Sequence, residues 1–285
     1  MCMKVAEIKT LTKEVKLLAE KLGTKLVGVA SADSFEGAPK GFHPRDILPD
    51  ARSVVVVAVP LLYGIVEKSK PFKPYETYIH PHTLKYGMPN REYGAQYVSL
   101  NAKLDRLVQD LGYVLEEKGF YAFPVQASSP TAGMGMEFSA SNQITLEENM
   151  QKYRCGDISH RHAAVLAGIG EIGLNNMLMT PKYGPRVRLA SVITDAPLSP
   201  DKPFSETLCR GKEDPKKCNL CIRSCPFNAL PDCKEAITSP LKYNIVDKFR
   251  CYAESGKSLQ LVSGNWVHAI CGICMKMCPI GKKHP

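Results

Sequence analysis

CNLCIRSCP at residues 218–226 returns as CGICMKMCP at residues 271–279, so one unit, Cys-x2-Cys-x3-Cys-Pro, occurs twice. A [4Fe–4S] cluster needs four thiolates, and a tight loop of this kind supplies two or three of them. The proline after the last cysteine prevents the loop from continuing as a helix. In two-cluster ferredoxins the cysteine before the proline binds the other cluster. The spacing therefore predicts two interlocked [4Fe–4S] clusters.

Two clusters need eight thiolates, and the two motifs supply six of them. Bacterial ferredoxin runs carry another cysteine at the position that is Pro215 here, so Cys209, a little upstream, is the nearest substitute. Cys251 lies between the motifs and can complete the second set. One cluster is therefore predicted on Cys209, Cys218, Cys221 and Cys278, and the other on Cys225, Cys251, Cys271 and Cys274. No role is assigned to Cys2, Cys155 or Cys233.

Zinc and disulfides are the competing uses of these cysteines. Two zinc sites would match the count of eight thiolates, yet zinc ribbons pair Cys-x2-Cys units without the x3-Cys-Pro ending. A disulfide framework is typical of short secreted domains. The first residues show neither the apolar stretch nor the twin arginines of an export signal. Reduced thiols and a cytoplasmic location are therefore expected.

Length and charge limit the possible organisation and partners. The 285 residues suggest about two domains. The longest apolar run, residues 54–62, is far shorter than the ~20 residues that span a bilayer, so no membrane span is expected. The net charge of +9 favours acidic partners, and a small ferredoxin or flavodoxin is the expected electron donor. Basic residues at 68–73 lack a recognition motif, so nucleic acid is not the expected partner.

Apolar periodicity before residue 200 predicts a mixed α+β domain. One helix is expected after Thr10 and is ended by Gly23, and a longer one is expected over residues 93–118. The apolar run at residues 53–60 is β-branched on both faces, which favours a buried central strand. Further strands are expected at residues 26–30, 120–126 and 187–194. The proline-rich residues 197–203 mark a link between domains 1–200 and 201–285.

A G-x-G-x-x-G motif at Gly168, Gly170 and Gly173 suggests dinucleotide binding when taken alone. The residues before it, starting at His160, are typical of a helix rather than of a first strand. Pro181 leaves too few residues for the helix that must follow in a βαβ unit. We therefore interpret these glycines as positions where the backbone is closely approached.

Three stretches carry a resemblance to a known family: HAAVLAGIGEIGLN at 162–175, TPKYGPRVR at 180–188 and VITDAPL at 192–198. Together with PRDILPDARSV at 44–54, REY at 91–93 and an isolated cysteine between the cluster motifs, they resemble the epoxyqueuosine reductases and the corrinoid-dependent reductive dehalogenases. The resemblance covers about residues 41–279.

The resemblance implies a nitroreductase-like α/β sandwich domain that binds a corrinoid (cobalamin), followed by a small ferredoxin-like two-cluster domain. Electrons would pass through the clusters to cobalt, whose chemistry side chains cannot supply. The residues implied to lie at the corrinoid are Arg91, Tyr93, His160, Gly168, Gly170, Gly173, Asn175, Pro181, Gly184 and Arg186.

The sequence also departs from its relatives. It shows no C-terminal helical repeats like those with which epoxyqueuosine reductases grip tRNA, and no export signal like that of respiratory dehalogenases. The reductase's proton-donating carboxylate falls on Arg154, which cannot be that acid. Tyr153 is the predicted replacement, since tyrosine serves in the dehalogenase branch, or it is an ordinary half-buried aromatic. Asp157 is a second candidate that could merely cap a helix, and Glu137 is a third.

The leading hypothesis is a cytoplasmic iron–sulfur oxidoreductase that passes single electrons through two clusters to a bound corrinoid and on to a small substrate. In a close variant the substrate is the corrinoid of a partner protein, which this chain would reactivate. Two alternatives stay open: a ferredoxin-like electron-transfer protein without corrinoid, and an epoxyqueuosine reductase-type activity on tRNA.

Overall fold

The computed structural model describes residues 3–68, 91–127, 156–231, 246–254 and 271–282. For residues 91, 92 and 252–254 it describes the backbone alone.

An antiparallel sheet of four strands forms the centre of the fold. These strands are β1 (Leu26–Ser31), β2 (Ser53–Pro60), β3 (Ala122–Val125) and β6 (Val187–Thr194). Their order is β1-β2-β6-β3, so β2 is central, as the sequence predicted. β4 (Glu171–Ile172) and β5 (Leu178–Met179) form a separate two-stranded hairpin.

Helices cover the sheet and carry the cysteine motifs. The described α-helices are α1 (Val5–Lys21), α2 (Pro44–Ile47), α3 (Arg91–Glu117), α4 (His160–Leu166), α5 (Arg210–Glu213), α6 (Leu220–Arg223) and α7 (Ile273–Met277). A 3-10 turn spans Ala32–Phe35, and π-helical turns span Gly64–Lys68 and Phe249–Glu254. In the portion of the chain covered by these ranges, no helix combines the length and apolar character needed to cross a membrane.

The predicted helices and strands are confirmed, with one correction at the start of α1. The helix begins at Val5, so Thr10 lies inside it and its hydroxyl donates to the carbonyl of Ala6. Glu7 provides the N-terminal cap instead, because its carboxylate accepts a hydrogen bond of 2.8 Å from the backbone N–H of Lys4. The apolar stripe predicts the body of a helix better than its first residue.

The apolar run of β2 is explained by burial on both faces of the sheet. Val55, Val57 and Val59 pack on one face beneath α1 and α3. Val54 and Val56 pack on the other face, against α4 and the hairpin. A strand covered on both sides needs apolar residues at every position, which is why it shows no alternation.

Residues just beyond the predicted boundary at 200 still contact the sheet domain. Asp201 forms a 2.6 Å ion pair with Lys16 of α1 and accepts a hydrogen bond from the backbone of Val29. Phe204 donates its backbone N–H to the carbonyl of Val165. The linker therefore lies along the first domain, and the division at residue 200 stays a prediction.

Arg186 links the sheet domain to the second cysteine motif. Its side chain is fully buried, and its guanidinium donates hydrogen bonds of 2.7 Å to the carbonyl of Ile280 and 2.8 Å to that of Cys278. Its Nε also forms a 2.7 Å ion pair with Glu67. Because a guanidinium carries five donors, one side chain satisfies a carboxylate and several carbonyls at once.

Two glycines allow the backbones to meet beside this arginine. A Cβ on Gly184 would lie 2.0 Å from the carbonyl oxygen of Ile280. A Cβ on Gly281 would lie 2.1 Å from the nitrogen of Gly184. Both glycines also have positive φ, at 55° and 70°. Only glycine combines a positive φ with the absence of a Cβ, and the contact has a glycine on each side.

We expect Arg186→Met to destabilise the protein by about 3 kcal/mol, because Glu67 and the carbonyls of Cys278 and Ile280 lose their partner. The measurement is urea unfolding followed by circular dichroism. Lys118→Met is the control, since it breaks an exposed ion pair with Glu14 and should cost less than about 1 kcal/mol. Equal losses in the two variants would contradict the linking role of Arg186.

His160 ties α4 to the sheet. Its Nε2 lies 2.8 Å from the carbonyl of Gln126, and its Nδ1 lies 2.8 Å from the hydroxyl of Ser191. Burial lowers the pKa of His160 to about 4, helped by the nearby charge of Arg188. The imidazole is therefore neutral at pH 7, with the proton on Nε2 because a carbonyl can only accept.

Acidification should destabilise the fold through His160. The unfolded histidine gains its proton near pH 6.5, whereas the folded one resists until about pH 4, so stability is lost as pH falls through this window. We expect the free energy of unfolding to drop by about 1 to 2 kcal/mol between pH 7 and pH 5 from this residue. His160→Gln should flatten that slope in urea unfolding at each pH; an unchanged slope would show that other groups cause it.

Candidate functional site

The structure brings together the four cysteines that were predicted for one cluster. Cys209, Cys218, Cys221 and Cys278 line one cavity, which we call the first thiol set. Leu174, Asn175, Met179, Pro279 and Ile280 also line it. The cavity therefore lies between the hairpin of the sheet domain and both cysteine motifs.

Short helices and one close backbone contact position this first set. Cys209 immediately precedes α5, and Cys221 lies within α6. A Cβ on Gly211 would lie 2.1 Å from the carbonyl oxygen of Cys218, so only glycine lets the Cys209 loop approach the first motif this closely. Cys278 arrives from the second motif, at the end of α7.

The remaining four predicted ligands lie near one another, and we call them the second thiol set. The thiols of Cys271 and Cys274 both interact electrostatically with those of Cys225 and Cys251. Cys274 also interacts with Cys221 of the first set, so the two sets are neighbours. The last cysteine of each motif thus lies near cysteines of the other motif, and the assignment of these cysteines as cluster ligands stays a prediction.

Burial makes these thiols hard to ionise. Burial, followed by the neighbouring sulfurs, raises the pKa of Cys221 to about 12. The pKa of Cys271 is raised to about 12 and that of Cys278 to about 11, again mainly by burial, and that of Cys274 is also raised. Thiolates can persist in such surroundings only beside positive charge.

Iron–sulfur clusters fit these two sets. Each set offers four sulfurs, which is the shell that a [4Fe–4S] cube requires, and iron supplies the positive charge that buried thiolates need. Within the described ranges, no three Cys, His, Asp or Glu side chains are close enough to hold one metal ion. The four cysteines of the first set line one cavity, and a cube binds its ligands at four corners.

Glu171 holds the loop that carries Cys209. Its buried carboxylate accepts hydrogen bonds from the backbone N–H groups of Leu208, at 2.6 Å, and of Cys209, and it pairs with Lys212 at 3.0 Å. The sequence indicated no role for Glu171, because it lies within a motif that is usually inspected for its glycines. The contact between Glu171 and the backbone of Cys209 could be found only from the folded structure, because the two residues are far apart in sequence.

The glycine motif serves contacts within the protein. A Cβ on Gly168 would lie 2.5 Å from the carbonyl oxygen of Lys202. One on Gly170 would lie 2.0 Å from that of Met179, and one on Gly173 would meet the Met179 side chain at 2.8 Å. α4 precedes the motif and the hairpin follows it, so the setting is not a strand–loop–helix. The close approach predicted for these glycines is confirmed, with protein atoms as the neighbours.

Residues predicted at the corrinoid lie in different surroundings. Asn175 lines the cavity of the first thiol set, Arg186 contacts the second motif, and His160 contacts Ser191. Pro181 is exposed. The role of these residues at a corrinoid stays a prediction.

Tyr93, another predicted cofactor residue, lies near the second thiol set. It is buried in a cluster with Leu61, Val66, Ile273 and Met275. Burial raises the pKa of its phenol, and the Cys274 and Cys271 thiols add to that effect. The phenol therefore stays protonated beside the second thiol set.

The predicted proton donors are only partly described. Asp157 is exposed, and the cap position of α4 is Ser159, so Asp157 does not cap that helix. Tyr153 and Glu137 lie outside the described residues, as do Cys2, Cys155 and Cys233 and the side chain of Arg91.

No protein-family model matches the chain. It is 32% identical over 121 residues to the tetrachloroethene reductive dehalogenase of Sulfurospirillum multivorans, covering 42% of this chain and 23% of that protein. It is also 32% identical over 135 residues to the epoxyqueuosine reductase of Bacillus subtilis, covering 45% of this chain and 30% of that protein. These alignments thus span less than a third of each relative.

Solved structures share the fold over nearly the whole chain. A catabolic reductive dehalogenase matches with a TM-score of 0.60 and 18% identity, covering 98% of this chain and 33% of the other. An epoxyqueuosine reductase from Bacillus subtilis matches with a TM-score of 0.55 and 22% identity, covering 97% of this chain and 68% of the other.

Sequence relatives and structural neighbours thus agree with one another and with the α+β fold. The chain is a relative of the epoxyqueuosine reductases and reductive dehalogenases, the family that its sequence resembles.

Proposed function

We propose that this protein is an iron–sulfur reductase, in which two [4Fe–4S] clusters carry single electrons to an acceptor in the sheet domain. The observation that carries the proposal is the pair of neighbouring four-thiol sets, each completed by the last cysteine of the other motif. When bound, such clusters gain and lose one electron at potentials that their surroundings set between roughly −700 and +450 mV. Relatives that are named reductases support the same reaction class.

The residues around the clusters would hold them rigidly and limit the access of water. Arg186 fixes the backbone at Cys278, and Gly211 brings the Cys209 loop against Cys218. Tyr93 and its apolar neighbours cover the second thiol set on the side of the sheet domain. Low exposure and fixed dipoles are the features by which proteins tune cluster potentials.

The acceptor class favoured by similarity is a corrinoid. One neighbouring structure, a reductive dehalogenase with a TM-score of 0.60 and 18% identity, is described in terms of B12-dependent dehalogenation. For this chain we propose either a bound corrinoid that acts on a small molecule, or a partner's corrinoid as the substrate. Tyr153 and Asp157 stay the proposed proton donors, and an acidic ferredoxin or flavodoxin stays the proposed electron donor.

Two alternative functions follow from the same features. A ferredoxin-like carrier would use the clusters without a corrinoid. Epoxyqueuosine reductase-type activity is favoured by the Bacillus subtilis relative and by a neighbouring structure that holds an epoxyqueuosine-modified tRNA stem loop, which weighs against treating nucleic acid as an unlikely partner. Loss of epoxyqueuosine from tRNA incubated with the reduced protein would identify that activity.

Cysteine substitutions test the ligand assignment. The wild-type chain, purified without oxygen, should contain about eight iron atoms, as two [4Fe–4S] clusters require. Cys209→Ala and Cys278→Ala should each retain about four and leave the same residual EPR signal, because both thiols belong to the first set. Cys251→Ala should leave the other signal.

Cys233→Ala is the matched control, since it removes a cysteine from the same part of the sequence that was given no cluster role. Its iron content should equal that of the wild type. Equal iron in all four variants would refute the assignment, and different residual signals for Cys209→Ala and Cys278→Ala would refute the interlocking.

Cobalt analysis tests the acceptor. Anaerobic purification with cobalamin supplied should yield about one cobalt beside about eight iron, with a visible spectrum that changes on adding dithionite. Eight iron without cobalt would contradict a resident corrinoid and favour the electron carrier. If a partner's corrinoid is the substrate, the reduced protein should change the partner's corrinoid spectrum without retaining cobalt.

A further inference from the structure

A buried ion pair lies next to the first thiol set. Glu171 is 8% exposed, and one of its carboxylate oxygens accepts from the backbone N–H groups of both Leu208 and Cys209. Its other oxygen pairs with the ammonium of Lys212 at 3.0 Å. Three donors thus contact the carboxylate of Glu171, so few of its hydrogen-bonding positions remain open to water.

Glu171 holds Cys209, whereas the other ligands of its set are held in other ways. Cys218 and Cys221 share one motif, and Cys278 is held at its carbonyl by Arg186. Cys209 belongs to neither motif. Glu171, 38 residues earlier in the sequence, accepts a hydrogen bond from the backbone N–H of Cys209.

The hairpin gives Glu171 a fixed position. Glu171 pairs with Met179 in the β4–β5 ladder. Gly170 before it and Gly173 after it both abut Met179, which itself lines the cavity. The acid therefore belongs to the same hairpin whose Met179 lines the cavity of the first thiol set.

We propose that Glu171 is a positioning residue for the first cluster, and that the Glu171–Lys212 pair sets the cluster's reduction potential. This inference rests on the proposed function, because it assumes that the first thiol set holds an iron–sulfur cluster. The carboxylate disfavours addition of an electron nearby, whereas the ammonium favours it, and low exposure preserves both effects.

Two variants separate charge from shape. Glu171→Gln keeps an oxygen for the backbone donors but removes the negative charge, so the potential of the first cluster should rise. Lys212→Met removes the positive charge and should lower it. Potentials are read by EPR redox titration of the purified holoprotein, and the first cluster is identified as the signal that Cys209→Ala abolishes.

Glu171→Ala tests positioning, because it leaves the backbone donors of the Cys209 loop without their acceptor. We expect the iron content to fall by up to half, with the second cluster's signal retained. Glu213→Gln is the control: this glutamate is closer to Cys209 in sequence but is exposed and forms only a 3.8 Å pair with Lys217. It should change neither iron content nor potential.

The outcomes distinguish this inference from the function on which it rests. Wild-type protein without iron would overturn the proposed function and the inference together. Intact clusters with unchanged potentials in Glu171→Gln and Lys212→Met would overturn the inference alone. A shift of the same sign in both variants would also overturn it, since a purely structural disturbance does not depend on the sign of the charge removed.

Discussion

The guanidinium of Arg186 is the contact on which the placement of the second cysteine motif depends. It reaches from the start of β6 to the carbonyls of Cys278 and Ile280, and it is balanced by Glu67. Cys278 belongs to the first thiol set although its motif otherwise serves the second. One residue of the sheet domain therefore fixes the point at which the two sets are joined, and an arginine suits this role because its donors are planar and permanently charged.

The segment from residue 168 to residue 186 contributes to both halves of the structure. Gly168 lies against the linker at Lys202, and Gly170 lies against Met179 of the hairpin. Glu171 holds the loop of Cys209. Its end supplies Gly184 and Arg186, which meet the second motif. The family resemblance is concentrated in this same stretch. The described contacts show that this segment holds the cysteine loops against the sheet domain.

The sequence predicted most of the fold because its signals are local. The buried run of β2 and the leucine spacing of α3 each depend on neighbouring positions, and both elements were found where expected. The four cysteines assigned to one cluster from their spacing do line one cavity, whereas their binding of a cluster stays a prediction. Glu171 and the full use of Arg186 were not predicted, because each acts on residues 37 or more positions away. The residues implied at a corrinoid were inferred from similarity alone. Gly170 and Arg186, two of these residues, also make contacts that stabilise the fold.

The pairing of β2 with β6 also constrains how the chain can fold. Every partner of β2 in this pairing, from Val187 to Thr194, lies more than a hundred residues further along the chain. Contacts of such separation form slowly because a long loop must first close. During synthesis, β2 leaves the ribosome well before β6 exists, with valines on both faces and one edge unpaired. The newly made chain therefore exposes an aggregation-prone strand for a time. Chaperones, or rapid collapse of the chain around α1 and β1, would protect this strand until β6 is made.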